Sequence, residues 1–209
     1  METRKQADGS VRLSRPALGI LEVIVCLGPN NLYAQPQAID AHQSSLKIRV
    51  FKSGAFSAFV HDHEIQAPIE DGKSDSSATP SVQLRVDSRK MRVLAPEISV
   101  DKLAEIQQTM EGTAVLDVVH FPQISYRSTA ITKTGDARWE VRGNLNLHGK
   151  SQLVVAVFSL DGGHYRGSTS LKQTNFVISP IRIAGGTAKV KDEVENRIRY
   201  RSGSMRNTS

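Results

Sequence analysis

Cysteine is almost missing. Cys26 is the only one in 209 residues, which excludes an intramolecular disulfide, a CxxC redox pair and a thiolate zinc site. Aromatic residues make up 5% of the chain, and Trp139 is the single tryptophan. The charges are scattered, with no run of five or more and no aromatics interleaved among them, so the net +6 describes a solvated basic surface and no nucleic-acid groove. Such a surface is compatible with transient contact with anionic membranes. A chain of this length supports one ordinary domain with its own core and is short for two.

Long apolar runs are missing too, and the longest sits near the start. Ala17 to Leu27 spans about 11 residues, too short for roughly 30 Å of hydrocarbon. Arg4, Lys5, Arg12 and Arg15 precede it, and a Gly28-Pro29 break leads to Ala34, so residues 1–34 read as a cleavable export signal with Glu22 as its one flaw. Cleavage leaves 23 basic and 18 acidic side chains, a net +5, and no cysteine. The expected location is periplasmic or secreted.

What is present is alternation. In residues 121–149, Ile124, Tyr126, Ser128 and Ala130 alternate with Gln123, Ser125, Arg127 and Thr129. After a turn at Lys133 to Asp136, Trp139, Val141, Gly143, Leu145 and Leu147 alternate with polar partners. Period two with one apolar face predicts a hairpin with a dry side and a wet side. Leu46, Ile48 and Val50 repeat the pattern, as do Val82, Leu84 and Val86, and residues 188–201 form a closing strand in which Asn196 takes an apolar position. Residues 152–160 are apolar on both faces, as for a strand covered on both sides, whereas 70–81 are rich in small polar residues and read as a loop. One helix is predicted from an N-cap at Ser99 to a terminating Gly112, with Val100, Leu103, Ile106 and Met110 on one face. About eight strands, one helix and no βαβ spacing predict an all-β fold, an antiparallel eight-stranded barrel with one packed α-helix.

The histidines carry the only candidate chemistry. His61 and His63 lie two apart on a strand and so share a face, with Asp62 and Glu64 on the other. They are able to give two imidazoles to one metal, with His42 or His120 as a third ligand, to satisfy loop backbone, or to hydrogen-bond a ligand's polar head group. A four-residue SxxK match at Ser99 has none of the partner motifs of a serine acyl enzyme.

The wording FPxIxYxS from Phe121 to Ser128 and WxVxGxLxLHG from Trp139 to Gly149 resembles the signature of the YceI-like family, over about residues 37–201. Leu171 to Ile178, LKQTNFVI, is similar to the family's LKQTDFGI, with Asn175 for aspartate and Val177 for glycine. His61-Asp62-His63 matches the wording of one branch of that family. The resemblance implies a lipocalin-like barrel that holds a polyisoprenoid or another long apolar molecule, such as a quinone, with no catalysis, cofactor or bound metal. A metal-dependent centre at His61 and His63 is the alternative. The expected ligand-binding residues are Leu46, Ile48, Val50, Phe56, Phe59, His61, His63, Leu84, Val86, Ile124, Tyr126, Trp139, Val141, Leu145 and Phe176. Residues 202–209 are expected to be a loose tail.

Overall fold

The computed structural model describes residues 36–54, 62–183 and 188–202. These form one antiparallel sheet of twelve strands, with a single α-helix. The strands are β1 (Gln37–Ala38), β2 (Ser45–Gly54), β3 (His63–Ala67), β4 (Ile69–Asp75), β5 (Ser81–Asp87), β6 (Arg92–Leu94), β7 (Gln123–Gly135), β8 (Arg138–Leu147), β9 (Lys150–Asp161), β10 (His164–Lys172), β11 (Arg182–Ile183) and β12 (Ala188–Tyr200). Their order is β1-β4-β5-β7-β8-β9-β10-β12-β2-β3-β6, with β11 on the side of β12.

Eight strands is therefore an undercount. Three of the extra strands, β1, β6 and β11, are only two or three residues long, and the fourth, β4, lies in the stretch expected to be a loop. Its outward residues Glu70, Asp71 and Lys73 hide the pattern, while Ile69 is buried opposite Val86 and the ladder to β5 supplies the backbone bonds. The sheet curls without sealing: among the described residues no ladder joins the two ends of the path. Only the Ala67-Pro68-Ile69 link carries the chain from β3, near one end, to β4, near the other. Proline has no N–H to give to a ladder, which suits it to that seam.

The hairpin forms as expected, with one correction. A register shift between Ser128 and Ala130 turns Ala130 outward, opposite Arg142, and brings Ile131 inward, opposite Val141. A bulge reverses the side on which every later residue falls, and period-two reading does not register one extra residue.

The helix α1 spans Val100–Glu111. Met110 is buried and Leu103 and Ile106 pack on the main core, but Val100 is 82% exposed and is no part of the apolar face. Ser99 stands at the N-cap without a side-chain hydrogen bond, and Gly112 has φ −73°, so this glycine ends the helix without the left-handed turn. No helix among the described residues is long and apolar enough to cross a membrane. The outer face of β9 also departs from expectation: Leu153 and Val157 are more than half exposed, and no described element covers them.

Val177 takes the left-handed conformation, φ 62° and ψ 25°, where its N–H reaches the Thr174 carbonyl at 3.1 Å. A β-branched side chain is strained there, and at 63% exposure its packing returns little. Val177→Gly is expected to stabilise the protein by roughly 1 kcal/mol. That corresponds to a thermal midpoint about 2–4 °C higher; an unchanged or lowered midpoint in a melting experiment would show that the valine is unstrained.

A divided interior as the candidate functional site

The inward residues of the sheet build two separate clusters. One gathers Ala67, Val86, Met91, Val93, Met110, Leu116, Val154, Phe176 and Ile178 beneath the helix. The other joins Ile39, Val82, Val141, Ala156, Phe158 and Tyr200. Each cluster borders a cavity. The cavity under the helix measures about 140 Å³, and its wall is carbon except for Lys172, Gln173 and Asn196. The second, about 370 Å³, has an aromatic floor of Trp139, Phe158, Tyr165 and Tyr200 and a polar rim that includes Ser74, Asp75, Ser77, Ser81 and Ser202. Trp139 meets Tyr165 edge-on at 5.7 Å, and Tyr165 stacks on Tyr200 at 5.0 Å.

Two inward glycines are each covered by a ring, and the first explains the division. On β8, the inward series Trp139, Val141, Gly143, Leu145 has a gap at its middle, and the Tyr126 ring fills it: a Cβ on Gly143 would lie 2.6 Å from Tyr126 Cζ. On β10, Gly167 is covered in the same way by the ring of Phe158, 2.4 Å from where its Cβ would be. Tyr126 packs against both clusters and borders neither cavity. Along β5 the order is repeated, with Val82 at the aromatic cavity, Leu84 between, and Val86 at the apolar one. The Tyr126 ring and Leu84, which border neither cavity, make a waist across the interior. Burial pushes the Tyr126 hydroxyl up to about 12, and the same cause raises that of Tyr200; both stay neutral at physiological pH.

Of the fifteen residues expected to bind ligand, Leu46, Ile48, Val50, Val86, Ile124, Leu145 and Phe176 line the apolar cavity, while Trp139 and Val141 line the aromatic one. Leu84 and Tyr126 have the expected inward direction but belong to the waist. His63 lies on β3 opposite Val50 and lines neither cavity. Phe56, Phe59 and His61 fall outside the described residues, as does the segment expected to be an export signal. His42 and His120, the other possible metal ligands, are both exposed, with His120 Nδ1 2.9 Å from Asp117 Oδ1. Among the described residues no group of three or more His, Cys, Asp or Glu side chains is placed to hold a metal ion.

Three wall features are polar: the period marks Asn196 as an apolar position lost, whereas Lys52 and Lys172 escape a period-two reading for hydrophobicity. Lys52 follows Leu46, Ile48 and Val50 on the inward face of β2 and is 8% exposed. Among the described residues its Nζ has no hydrogen-bond partner; burial lowers its pKa, while Asp62 and Glu97 act in the opposite direction. Asn196, opposite Ile48, presents a buried Nδ2 that also has no partner. Lys172 completes the set at the rim of the apolar cavity. An unsatisfied buried donor costs roughly 1–3 kcal/mol, so Asn196→Leu is expected to raise stability by about 1–2 kcal/mol in the ligand-free protein. Urea unfolding measures this, and a lowered midpoint at unchanged slope would contradict it.

The model of the YceI-like domain family matches residues 37–201. The chain belongs to the YceI-like family. Solved structures agree in fold. BcnA of Burkholderia cenocepacia aligns with TM-score 0.55 at 16% identity, covering 78% of this chain and 98% of that one. A polyisoprenoid-binding domain from Saccharophagus degradans, implicated in plant cell wall breakdown, aligns with TM-score 0.50 at 12% identity over 79% and 98%. The YceI protein of Campylobacter jejuni aligns with TM-score 0.50 at 11% identity over 66% and 84%. No curated protein sequence matches the chain. Within this YceI-like domain, the divided interior is the feature from which a function has to be built.

Proposed function

We propose that this YceI-like protein is an exported carrier that sequesters a polyisoprenoid or another long apolar molecule in its interior. The observation that carries this reading is the cavity under the helix, whose wall is almost entirely carbon. Well-packed interiors leave few voids larger than a water molecule, and apolar voids stay dry and receptive to apolar guests. The family membership and the likeness to a domain described as polyisoprenoid binding support the same reading.

The volumes define how such a guest is held. Small-molecule sites enclose about 300–1,000 Å³; the aromatic cavity reaches that range alone and the apolar cavity does not. A long chain therefore occupies both, passing the waist after Tyr126 swings off Gly143. Each buried CH₂ contributes about 0.8 kcal/mol, so affinity follows tail length more than chemical detail. Export fits the single cysteine, and the basic surface supports passing contact with anionic membranes where cargo is loaded or delivered.

Trp139 makes the test simple, because it is the only tryptophan and it lines the aromatic cavity. Titration with geranylgeraniol is expected to shift and saturate its fluorescence at one equivalent. An emission spectrum untouched by excess geranylgeraniol, with the tail also failing to co-elute with the protein, would refute the reading.

A further inference from the structure

On the inner wall of β2, the side chains that border the apolar cavity give way at one end to Lys52. Leu46, Ile48 and Val50 line that cavity, and two-residue periodicity continues the row to Lys52. The ammonium is more than nine-tenths buried and gives no hydrogen bond among the described residues. An isolated buried charge is expensive unless something pairs with it. Asp62 and Glu97 lie near enough to favour the charge, and Asp62 accepts the backbone N–H of Lys52 at 3.3 Å, but neither carboxylate closes an ion pair with Nζ.

The rest of this wall has the same bias. Among the described residues its polar groups are Lys172, Gln173 and Asn196, and no carboxylate borders the cavity. Asn196 adds a second unpartnered donor two rungs deeper, since Lys52 faces Val190, Val50 faces Val194 and Ile48 faces Asn196. The register of β2 and β12 shifts between Val190 and Val194, which opens the ladder beside Lys52. Nitrogen donors, a buried cation that Asp62 and Glu97 favour without pairing, and an apolar cavity that begins at the next inward residue, Val50, describe a receptor for an acidic amphiphile.

We infer that Lys52 selects ligands with an oxyanion head group, a carboxylate or a phosphate monoester, seated at its Nζ while the tail runs along Val50 and Val194 into the apolar cavity. This rests on the carrier reading and adds a head-group class to it. A charge-assisted hydrogen bond in a dry site contributes more than the neutral one an alcohol makes. The acids accordingly bind at least about tenfold more tightly than the alcohol of equal tail length.

The experiment compares hexadecanoate, hexadecyl phosphate and hexadecanol on the full chain by isothermal titration. Both acids are expected to exceed hexadecanol by about tenfold or more, and the ratio between the acids tells carboxylate from phosphate as the preferred source of the oxyanion. Lys52→Met should erase the preference, so that both acids and hexadecanol bind that variant alike, while Lys52→Arg should keep it. Equal affinities for acids and alcohol, or a preference that survives in Lys52→Met, would overturn the inference and leave the carrier reading standing. If hexadecanol and both acids all fail to bind, the carrier reading falls and this inference with it.

Discussion

Gly167→Ala is expected to destabilise the protein by about 3 kcal/mol, the upper end of what overpacking a core costs. The added methyl would lie 2.4 Å from Phe158 Cε1, 2.5 Å from Cζ and 2.7 Å from Cδ1, and no other residue supplies any of its three nearest atoms. The whole penalty therefore runs through one ring, which is itself wedged beside Tyr200 at 6.1 Å, edge to face. In a chain of this size about 3 kcal/mol lowers the thermal midpoint by roughly 6–12 °C. Phe158→Ala alone is also costly, because that side chain is 6% exposed and belongs to the second core. In the double variant the added methyl has room, so the two losses should fall short of additivity by at least about 1 kcal/mol. Chemical denaturation of the four proteins checks this, and strictly additive losses would mean that Phe158 does not cover Gly167 in solution.

The second large effect concerns the waist. Tyr126→Ala removes the ring that lies on Gly143 and stands between the two cavities, so the variant is expected to join them into one hollow past Leu84. The truncation costs about 3 kcal/mol of stability, yet it should strengthen the binding of long tails. Wild-type protein has to move the ring to admit a chain through the waist, and the variant does not. Comparing geraniol with geranylgeraniol, the gain in affinity per added isoprene unit is expected to be larger in Tyr126→Ala, with at least a tenfold improvement for the longer tail, equivalent to about 1.4 kcal/mol. Tyr126→Phe should behave as wild type, since the hydroxyl makes only a 3.5 Å contact with the Val141 carbonyl. Weaker binding of geranylgeraniol by a folded Tyr126→Ala would show that the ring is part of the binding surface and no barrier.

Much of this interior was open to reading from the sequence, because a sheet with one dry face writes its direction into every second residue. Leu46, Ile48 and Val50, or Val86, Ile124 and Leu145, could be assigned to the cavity wall on that ground alone. What alternation does not contain is which inward residues line space and which fill it. Tyr126 and Leu145 are paired across β7 and β8 and equally apolar in pattern, yet one blocks the interior and the other borders a cavity. The difference lies in Gly143 beside them, and the signal was there: glycine at an inward position leaves a hole that a neighbouring ring is able to occupy. Gly167 opposite Phe158 carries the same signal.

Other losses have separate causes. Lys52 continues an apolar row at the correct spacing, but a lysine in a strand reads as an outward residue until its burial is known. The strand β4 is invisible because its pairing with β5 is held by backbone bonds and a few small inward residues. Val177 was singled out as a departure from glycine, and the backbone nevertheless keeps the left-handed turn at a cost in strain. The exposed apolar face of β9 imitates a buried strand, and hydrophobicity alone does not tell the two apart.

The most direct test is chemical. Protein purified from its producing cell, with residues 1–34 processed as that cell processes them, would be measured by native mass spectrometry and then extracted with organic solvent for lipid analysis. The account predicts a single apolar molecule per protein, released on denaturation, and an emptied protein that takes up one polyprenyl chain again. A preparation that carries nothing, and whose mass stays that of the bare chain after incubation with polyprenyl alcohols, polyprenyl phosphates and quinones, would contradict it.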